Sequence, residues 1–565
     1  MRHNLLSLTL VALVLGLVAC PKRTTRDLPD YQLGAGDLYL GGRVVDLYEH
    51  AVLNRRDFVY SIGFDPTSRL VAFSHMVLTD FELSLYNVED GQLRWQVPLN
   101  PTEFDVEGVA FVGDRAVVLG CRRNSQSAHP GLRLHDLKTG ANLASYYGDD
   151  ERGYVQVGVS PDLRLVAGVT FKDGTLELHS ADTLNWLGET RAHRGPATAV
   201  AFGPDGTLYT GGQDRSLAVW RLEPASLESA GQARMAKLIV GDAKQRAMVA
   251  SFDGRANAIM ALDTGVDATV ITNSLATKLG LRAASERLPV RLGSTEIPAP
   301  RARVPSLRFK QLALTDVEVA LCDECVPVGC DAAVGSDLLR RMRISDGPVP
   351  HVVTVEIGGR DAPTSIPASP GGIDGAPEEP SGAAGDVMDA APQLLRPVLV
   401  RRHELPGSIN DIRLSRDGAR MVVAVSSEPA ERSLELYEKE KAGKLPEPSA
   451  GNAALLIDAA SGQVLKTFLS HRGYVVSADL SADGRTVVSG GWDNRVVLFD
   501  VESTQPVAEH AMAWLVRRVR FSPDGRTLAV GAWTPPASGG GESKPSAMLF
   551  DLVYETPERA STSKP

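Results

Sequence analysis

Residues 259–271 read Ile-Met-Ala-Leu-Asp-Thr-Gly-Val-Asp-Ala-Thr-Val-Ile, so Asp263, Thr264, Gly265 and Asp267 sit between two apolar runs. A carboxylate delivered into apolar surroundings is costly unless hydrogen bonds or a second carboxylate tune its protonation. That tuning is what an acid–base group needs if it is to take a proton from water and hand it on. Thr264 offers a hydroxyl to hold the loop, and Gly265 lets backbone or substrate come close to the carboxylate.

The flanking segments have the character of elements that would position such a loop. Asp253-Gly254 divides Ala247-Met-Val-Ala-Ser-Phe252 from Arg255-Ala-Asn-Ala-Ile-Met-Ala-Leu262, a hairpin signal that feeds Asp263. Asn273 to Leu279, closed by Gly280, predicts a short helix with an Asn cap and a Gly stop. Leu288-Pro-Val-Arg-Leu-Gly293-Ser-Thr-Glu-Ile297 predicts a second hairpin, and Val352-Val-Thr-Val-Glu-Ile357 a final strand.

Over residues 237–357 this pattern resembles the retropepsin-like aspartic proteases, whose active loop reads apolar-apolar-Asp-Thr-Gly-Ala. Ala333-Val334-Gly335-Ser336-Asp337-Leu338-Leu339 matches the family's apolar-apolar-Gly segment and closing helix. The resemblance implies Asp263, Thr264 and Gly265 as catalytic residues. It also implies that Asp267 accepts hydrogen bonds from substrate backbone, that 288–297 is a flap, and that 352–357 joins a dimer interface. Val266 departs from the family's Ala and adds bulk beside the expected substrate position. Aspartic proteolysis needs two carboxylates sharing a proton, because like charges about 3 Å apart cannot both ionise. The chain has no second apolar-apolar-Asp-Thr/Ser-Gly, so the expected dyad pairs Asp263 of two copies.

Outside residues 235–358 the chain repeats itself. Asp65-Pro-Thr-Ser, Ser160-Pro-Asp-Leu, Gly203-Pro-Asp-Gly, Ser415-Arg-Asp-Gly, Ser481-Ala-Asp-Gly and Ser522-Pro-Asp-Gly each separate short β runs, with a weaker copy at Phe111-Val-Gly-Asp-Arg115. Pro161 to Pro204 spans 43 residues and Asp483 to Asp524 spans 41, the period of a four-stranded propeller blade. His193, Asp214 and Trp220 in one copy, and His471, Asp493 and Phe499 in another, resemble WD-repeat blades, in which such residues form an internal network. A recurrent His–Asp pair with no nucleophile reads as that network rather than as a catalytic diad.

Four copies precede the protease-like segment and three follow it, predicting an all-β fold: a seven-bladed β-propeller interrupted by a retropepsin-like β-barrel. Residues 41–48 would close the last blade as its outer strand, removing exposed edges. Trp220 would end the third strand of blade four and Pro397–Arg402 would be its outer strand, so the insertion falls between them. Residues 358–390, rich in Pro, Gly, Ala and Ser, read as a flexible tether that lets inserted domains of two copies meet. Residues 426–452, with a charged Glu-Lys-Glu-Lys, read as an excursion within blade five.

Residues 5–18 are apolar, follow Arg2 and His3, and run into Leu17-Val-Ala-Cys20, which resembles a bacterial lipoprotein box. The resemblance implies a cleaved signal, acylation at Cys20, and anchorage to a membrane on the periplasmic side or at the outer membrane. A net charge of −10 with no basic stripe among aromatics argues against a nucleic-acid partner. Cys322, Cys325 and Cys330 suggest a disulfide in an exported protein, its pairing open; zinc would need a fourth ligand that the neighbourhood lacks. No cofactor or metal is expected.

The expected function is a membrane-anchored, homodimeric aspartic endopeptidase acting on protein or peptide substrates, its propeller recruiting substrate or envelope partners. The alternative is a non-catalytic envelope scaffold or binding protein whose protease-like domain dimerises or holds peptide.

Overall fold

The computed structural model describes residues 44–54, 58–77, 80–99, 105–122, 131–147, 153–225, 235–239, 247–262, 265–309, 312–328, 330–346, 352–357, 394–427, 447–513, 515–533 and 546–554. Cys20, Asp263, Thr264 and the 358–390 tether lie outside them, as do residues 41–43 and 428–446.

Seven four-stranded antiparallel meanders form the propeller. Their innermost strands are Phe58–Phe64, Asp105–Val112, Tyr154–Val159, Ala197–Phe202, Ser408–Leu414, Val475–Leu480 and Leu515–Phe521. The ring closes as expected: Val44–Asn54 pairs antiparallel with Ala547–Tyr554, so the last blade takes its outer strand from the start of the described chain. Blade four is completed across the insertion, where Ser216–Pro224 pairs with Leu395–Glu404. The third strand therefore continues to Pro224, four residues past the boundary expected at Trp220, because the outer strand supplies partners that far.

The repeated turn signature has a local physical cause. Ser481 Oγ donates to Asp483 Oδ1 at 2.6 Å and accepts from Thr486 N at 2.9 Å, while Asp483 Oδ1 also accepts from Arg485 N. Ser415/Asp417 and Ser522/Asp524 repeat the arrangement. Side chains that bond their own turn help fix each hairpin's register locally. The core then forms between blades: Ala199, Tyr209, Leu217 and Val219 of blade four pack on Ile409, Ile412, Val423 and Leu455 of blade five. Each such aliphatic side chain contributes about 1.5–3 kcal/mol on full burial.

The inserted domain has its own core, with Phe252, Met260, Ile271, Val304, Leu307, Phe309 and Val319 buried together. Its strands close a ring: Ala247–Phe252, Ala256–Ala261, Ala332–Ala333, Val270–Ile271, Leu312–Leu321 and Thr295–Phe309, which returns to the first through Ser251↔Arg308. The whole is an all-β propeller interrupted by a closed β-barrel.

Beside the barrel, Val352–Ile357 is the central strand of a three-stranded sheet between Met235–Ile239 and Met342–Asp346. Both its edges are therefore used within the chain.

The barrel also touches the propeller. Asn185, buried in the turn between the third and outer strands of blade three, donates through Nδ2 to Gly254 O and accepts from Ser251 Oγ at 2.9 Å. Asn257 Nδ2 donates to Thr183 O at 2.8 Å. The hairpin that feeds the Asp loop is thus anchored to blade three.

Candidate active site

That hairpin turns through Asp253 and Gly254, both at positive φ (52° and 66°), with Arg255 N bonded to Phe252 O. Asp tolerates and Gly favours this left-handed geometry, so the expected Asp-Gly turn forms where the sequence places it. The strand Ala256–Ala261 then runs toward Asp263, and the chain returns along Val270–Ile271.

Ala332–Ala333 threads between these two strands. It pairs parallel with Met260–Ala261 and antiparallel with Val270–Ile271, so the two limbs of the Asp loop are held apart by a third segment. Val334 N continues the crossing by bonding to Ala261 O at 2.9 Å. The close approach dictates a glycine: a Cβ on Gly335 would lie 2.1 Å from the carbonyl carbon of Ala268. Thr269 Oγ1, fully buried, accepts from Gly335 N at 3.2 Å and donates to Asp337 Oδ1 at 2.8 Å. Ser336 N and Asp337 N bond to Val266 O and Asp267 O. The short helix Ser336–Leu339 therefore seats directly on the far limb of the loop.

Of the expected site residues, Gly265 is exposed with φ 66°, a left-handed position suited to glycine. Asp263 and Thr264 lie outside the described residues, bracketed by Leu262 and Gly265, and Cys20 lies outside them as well. Asp267 is exposed, and its Oδ1 accepts from Arg291 N at 2.8 Å while its own N donates to Arg291 O at 3.2 Å. The carboxylate expected to meet substrate backbone thus meets backbone of its own chain. Val266, which departs from the family's Ala, is buried with Val290 and Ala299.

The expected flap is a hairpin of Arg287–Leu292 and Thr295–Phe309, turning at Gly293. It lies against the Asp loop: Val266 bridges Leu292, and Gly293 N bonds to Gly265 O at 3.3 Å.

The helix Asn273–Lys278 forms, but its cap is Thr272, whose hydroxyl accepts from Leu275 N; Asn273 instead donates to Asp323 Oδ2 at 2.8 Å. The cap shifts by one residue because Asp323 competes for the Asn side chain. Gly280 ends the helix as expected, at φ 65°. The open cysteine pairing is Cys322–Cys325, and Cys330 packs against the same cluster.

Sequence reading gave Thr269 no role and named Asp337 only within a motif. The signal lay in their placement, a Thr two residues after Asp267 and an Asp two after Gly335.

The paired His and Asp residues form structural networks within blades. His193 Nδ1 lies 2.9 Å from Asp214 and its Nε2 2.9 Å from Thr210 Oγ1, which also accepts from Trp220 Nε1. Burial works to raise the pKa of Asp214, but hydrogen bonds from His193, Arg194 N and Ser216 outweigh it and hold the carboxyl well below its usual range. His471 repeats this with Asp493 at 2.8 Å and Ser489 at 2.7 Å.

Residues 248–338 match the family model described as aspartyl protease. Residues 185–221 and 462–500 match that of the WD domain, G-beta repeat. The chain is 37% identical over 101 residues to eukaryotic translation initiation factor 3 subunit I of Lodderomyces elongisporus, covering 18% of this chain and 29% of that protein. Against the same subunit of Candida albicans it is 35% identical over 99 residues, 17% of this chain and 28% of the relative. The chain thus spans under a third of the length of these curated relatives. The fold and the family matches agree that this chain carries an aspartyl-protease domain together with WD repeats.

Proposed function

We propose that this protein is an aspartic endopeptidase that works as a homodimer on a membrane surface, with the propeller recruiting protein substrates. The single observation that carries the reading is the threading of Ala332–Ala333 between the limbs of the Asp263 loop. An architecture that fixes both limbs independently of substrate is what positioned acid–base chemistry requires. With one Asp-Thr-Gly per chain, the proton-sharing pair comes from Asp263 of two copies. One carboxylate takes a proton from water while the other donates to the scissile carbonyl. The outer strands Met235–Ile239 and Met342–Asp346, each with a single strand partner among the described residues, offer edges through which two barrels can join. Acylation at Cys20 would concentrate the protein in a plane and favour that encounter.

The engagement of Asp267 by Arg291 favours a second reading, in which the barrel binds or dimerises without cleaving. A peptide-library cleavage assay on the lipid-free protein, with a mass measurement and an Asp263→Asn control, decides between them. Cleavage that rises with dimer fraction and vanishes in the variant supports the endopeptidase. Cleavage by a strict monomer would falsify the shared dyad, and no cleavage by the dimer leaves the binding role.

A further inference from the structure

All seven innermost strands of the propeller end around one cavity of about 460 Å³. Its lining is divided. Phe64, Phe111, Phe202 and Phe521 from blades one, two, four and seven supply aromatic wall, whereas charge comes only from Arg413, Asp479 and Arg520 of blades five, six and seven.

One or two residues back along the same strands lies a buried network. Asp411 accepts from Arg520 Nη1 at 2.7 Å and Nη2 at 3.2 Å, from Ser477 Oγ at 2.7 Å and from Gln156 Nε2 at 3.0 Å. Gln156 Oε1 in turn accepts from Val200 N at 2.7 Å. Burial works to raise the pKa of Asp411, but Arg520, Arg413 and Arg518 outweigh it and keep the carboxyl ionised.

Cationic donors remain in excess. Arg413 Nε stands 3.7 Å from Asp411 and, like Arg520 Nε, is buried with no hydrogen-bond partner among the described residues. Arg520 is 4% exposed. Asp479 also faces Arg413 and Arg520, and its charge acts on both, but its oxygens accept from Leu480 N and Phe521 N, both at 2.9 Å, and no hydrogen bond links it to either guanidinium among the described residues. A buried donor left unsatisfied is destabilising, and a carboxylate is the acceptor best matched to guanidinium geometry.

The mouth also has a definite orientation. In a four-stranded meander the first and third turns lie at one end. Pro161, Pro204, Ser415 and Pro523 of the cavity rim belong to first turns, and the barrel is inserted at a third turn, after Pro224. The cavity and the protease domain therefore face the same end of the propeller.

We propose that this mouth binds peptides by their free C-terminal carboxylate, the guanidinium groups of Arg413 and Arg520 taking the charge and the phenylalanine wall an apolar last side chain. The choice of a peptide as ligand rests on the proteolytic reading above, since each cleavage creates a new carboxylate on this side of the molecule. The carboxylate specificity rests on the cavity alone.

The test is fluorescence anisotropy with the full chain bearing Asp263→Asn, so that binding is read without cleavage. The probe is a labelled Gly-Ser-rich hexapeptide ending in phenylalanine, compared with its C-terminal amide and with N-acetylphenylalanine. The expected result is one site per chain and about tenfold or greater loss for the amide. Arg413→Gln should lose as much, and Arg413→Lys should recover part of it. Equal binding of acid and amide, or undiminished binding by a folded Arg413→Gln, overturns the proposal. N-acetylphenylalanine binding as tightly as the hexapeptide overturns the peptide assignment. Because the unsubstituted mouth gives the acid–amide comparison, a misfolded variant does not rescue the idea. Binding without any proteolysis by the Asp263-containing chain would sink the endopeptidase reading and leave the carboxylate site standing.

Discussion

The hydroxyl of Thr269 donates to Asp337 across 2.8 Å and so ties the far limb of the Asp263 loop to the helix that closes the barrel. It simultaneously accepts from Gly335 N, at the crossing where backbone meets backbone. Replacing Thr269 with Val keeps the shape but leaves Gly335 N without that acceptor in a buried place. A loss of about 1–3 kcal/mol is expected. Urea unfolding followed through the barrel should show it, with cleavage falling in parallel; an unshifted midpoint would mean the hydroxyl is dispensable.

The Asp411–Arg520 pair makes acid stability directional. The folded pKa of Asp411 lies below the ordinary 3.8, its arginine neighbours overcoming burial. Its contribution is therefore fully present above that ordinary value and is lost as pH falls from there toward the depressed folded value. Asp411→Asn takes from buried Arg520 the carboxylate it is hydrogen-bonded to, which should cost about 3–5 kcal/mol at neutral pH. Thermal melts between pH 7 and pH 3 should show the gap between parent and variant closing at the acid end. A gap that widens on acidification contradicts the assignment.

His471 belongs to blade architecture rather than to catalysis. Its ring bridges Asp493 and Ser489, both buried. His471→Ala should lower stability by about 1–3 kcal/mol, because two buried polar groups lose their partner. Peptide turnover well below the melting temperature should stay at the parent rate. Selective loss of turnover in the folded variant would restore the diad reading.

Asn185 fixes the barrel on blade three through Gly254 and Ser251. Asn185→Ala should increase hydrogen exchange over residues 251–257 while leaving the other blades protected to the parent level. Dimerisation by a hinged barrel should then become easier, measured as a lower dimer dissociation constant. Unchanged exchange across that hairpin would show that the contact does not hold the domain.

Much of the architecture was legible because it is locally encoded. Ser481 and Asp483 bond their own turn, so the repeat that announces seven blades is written in the residues that make it. Asp253-Gly254 and Gly280 likewise carry backbone geometry that few other residues accept. The acidic loop, too, stood out by its apolar flanks. What could not be read were side-chain relations between residues remote in sequence. The Thr269–Asp337 tie spans 68 positions, and the Arg520–Asp411 pair spans 109. Thr272 displaced Asn273 as helix cap only because Asp323 arrives from another segment. Asp267, expected to accept from substrate backbone, accepts from Arg291 N of its own chain for the same reason. Short-range hydrogen bonding and hydrophobic period determined the elements and their order. Chain crossing and burial decided which polar groups meet, because the cost of an unpartnered charge is set by neighbours that only the folded ring brings together.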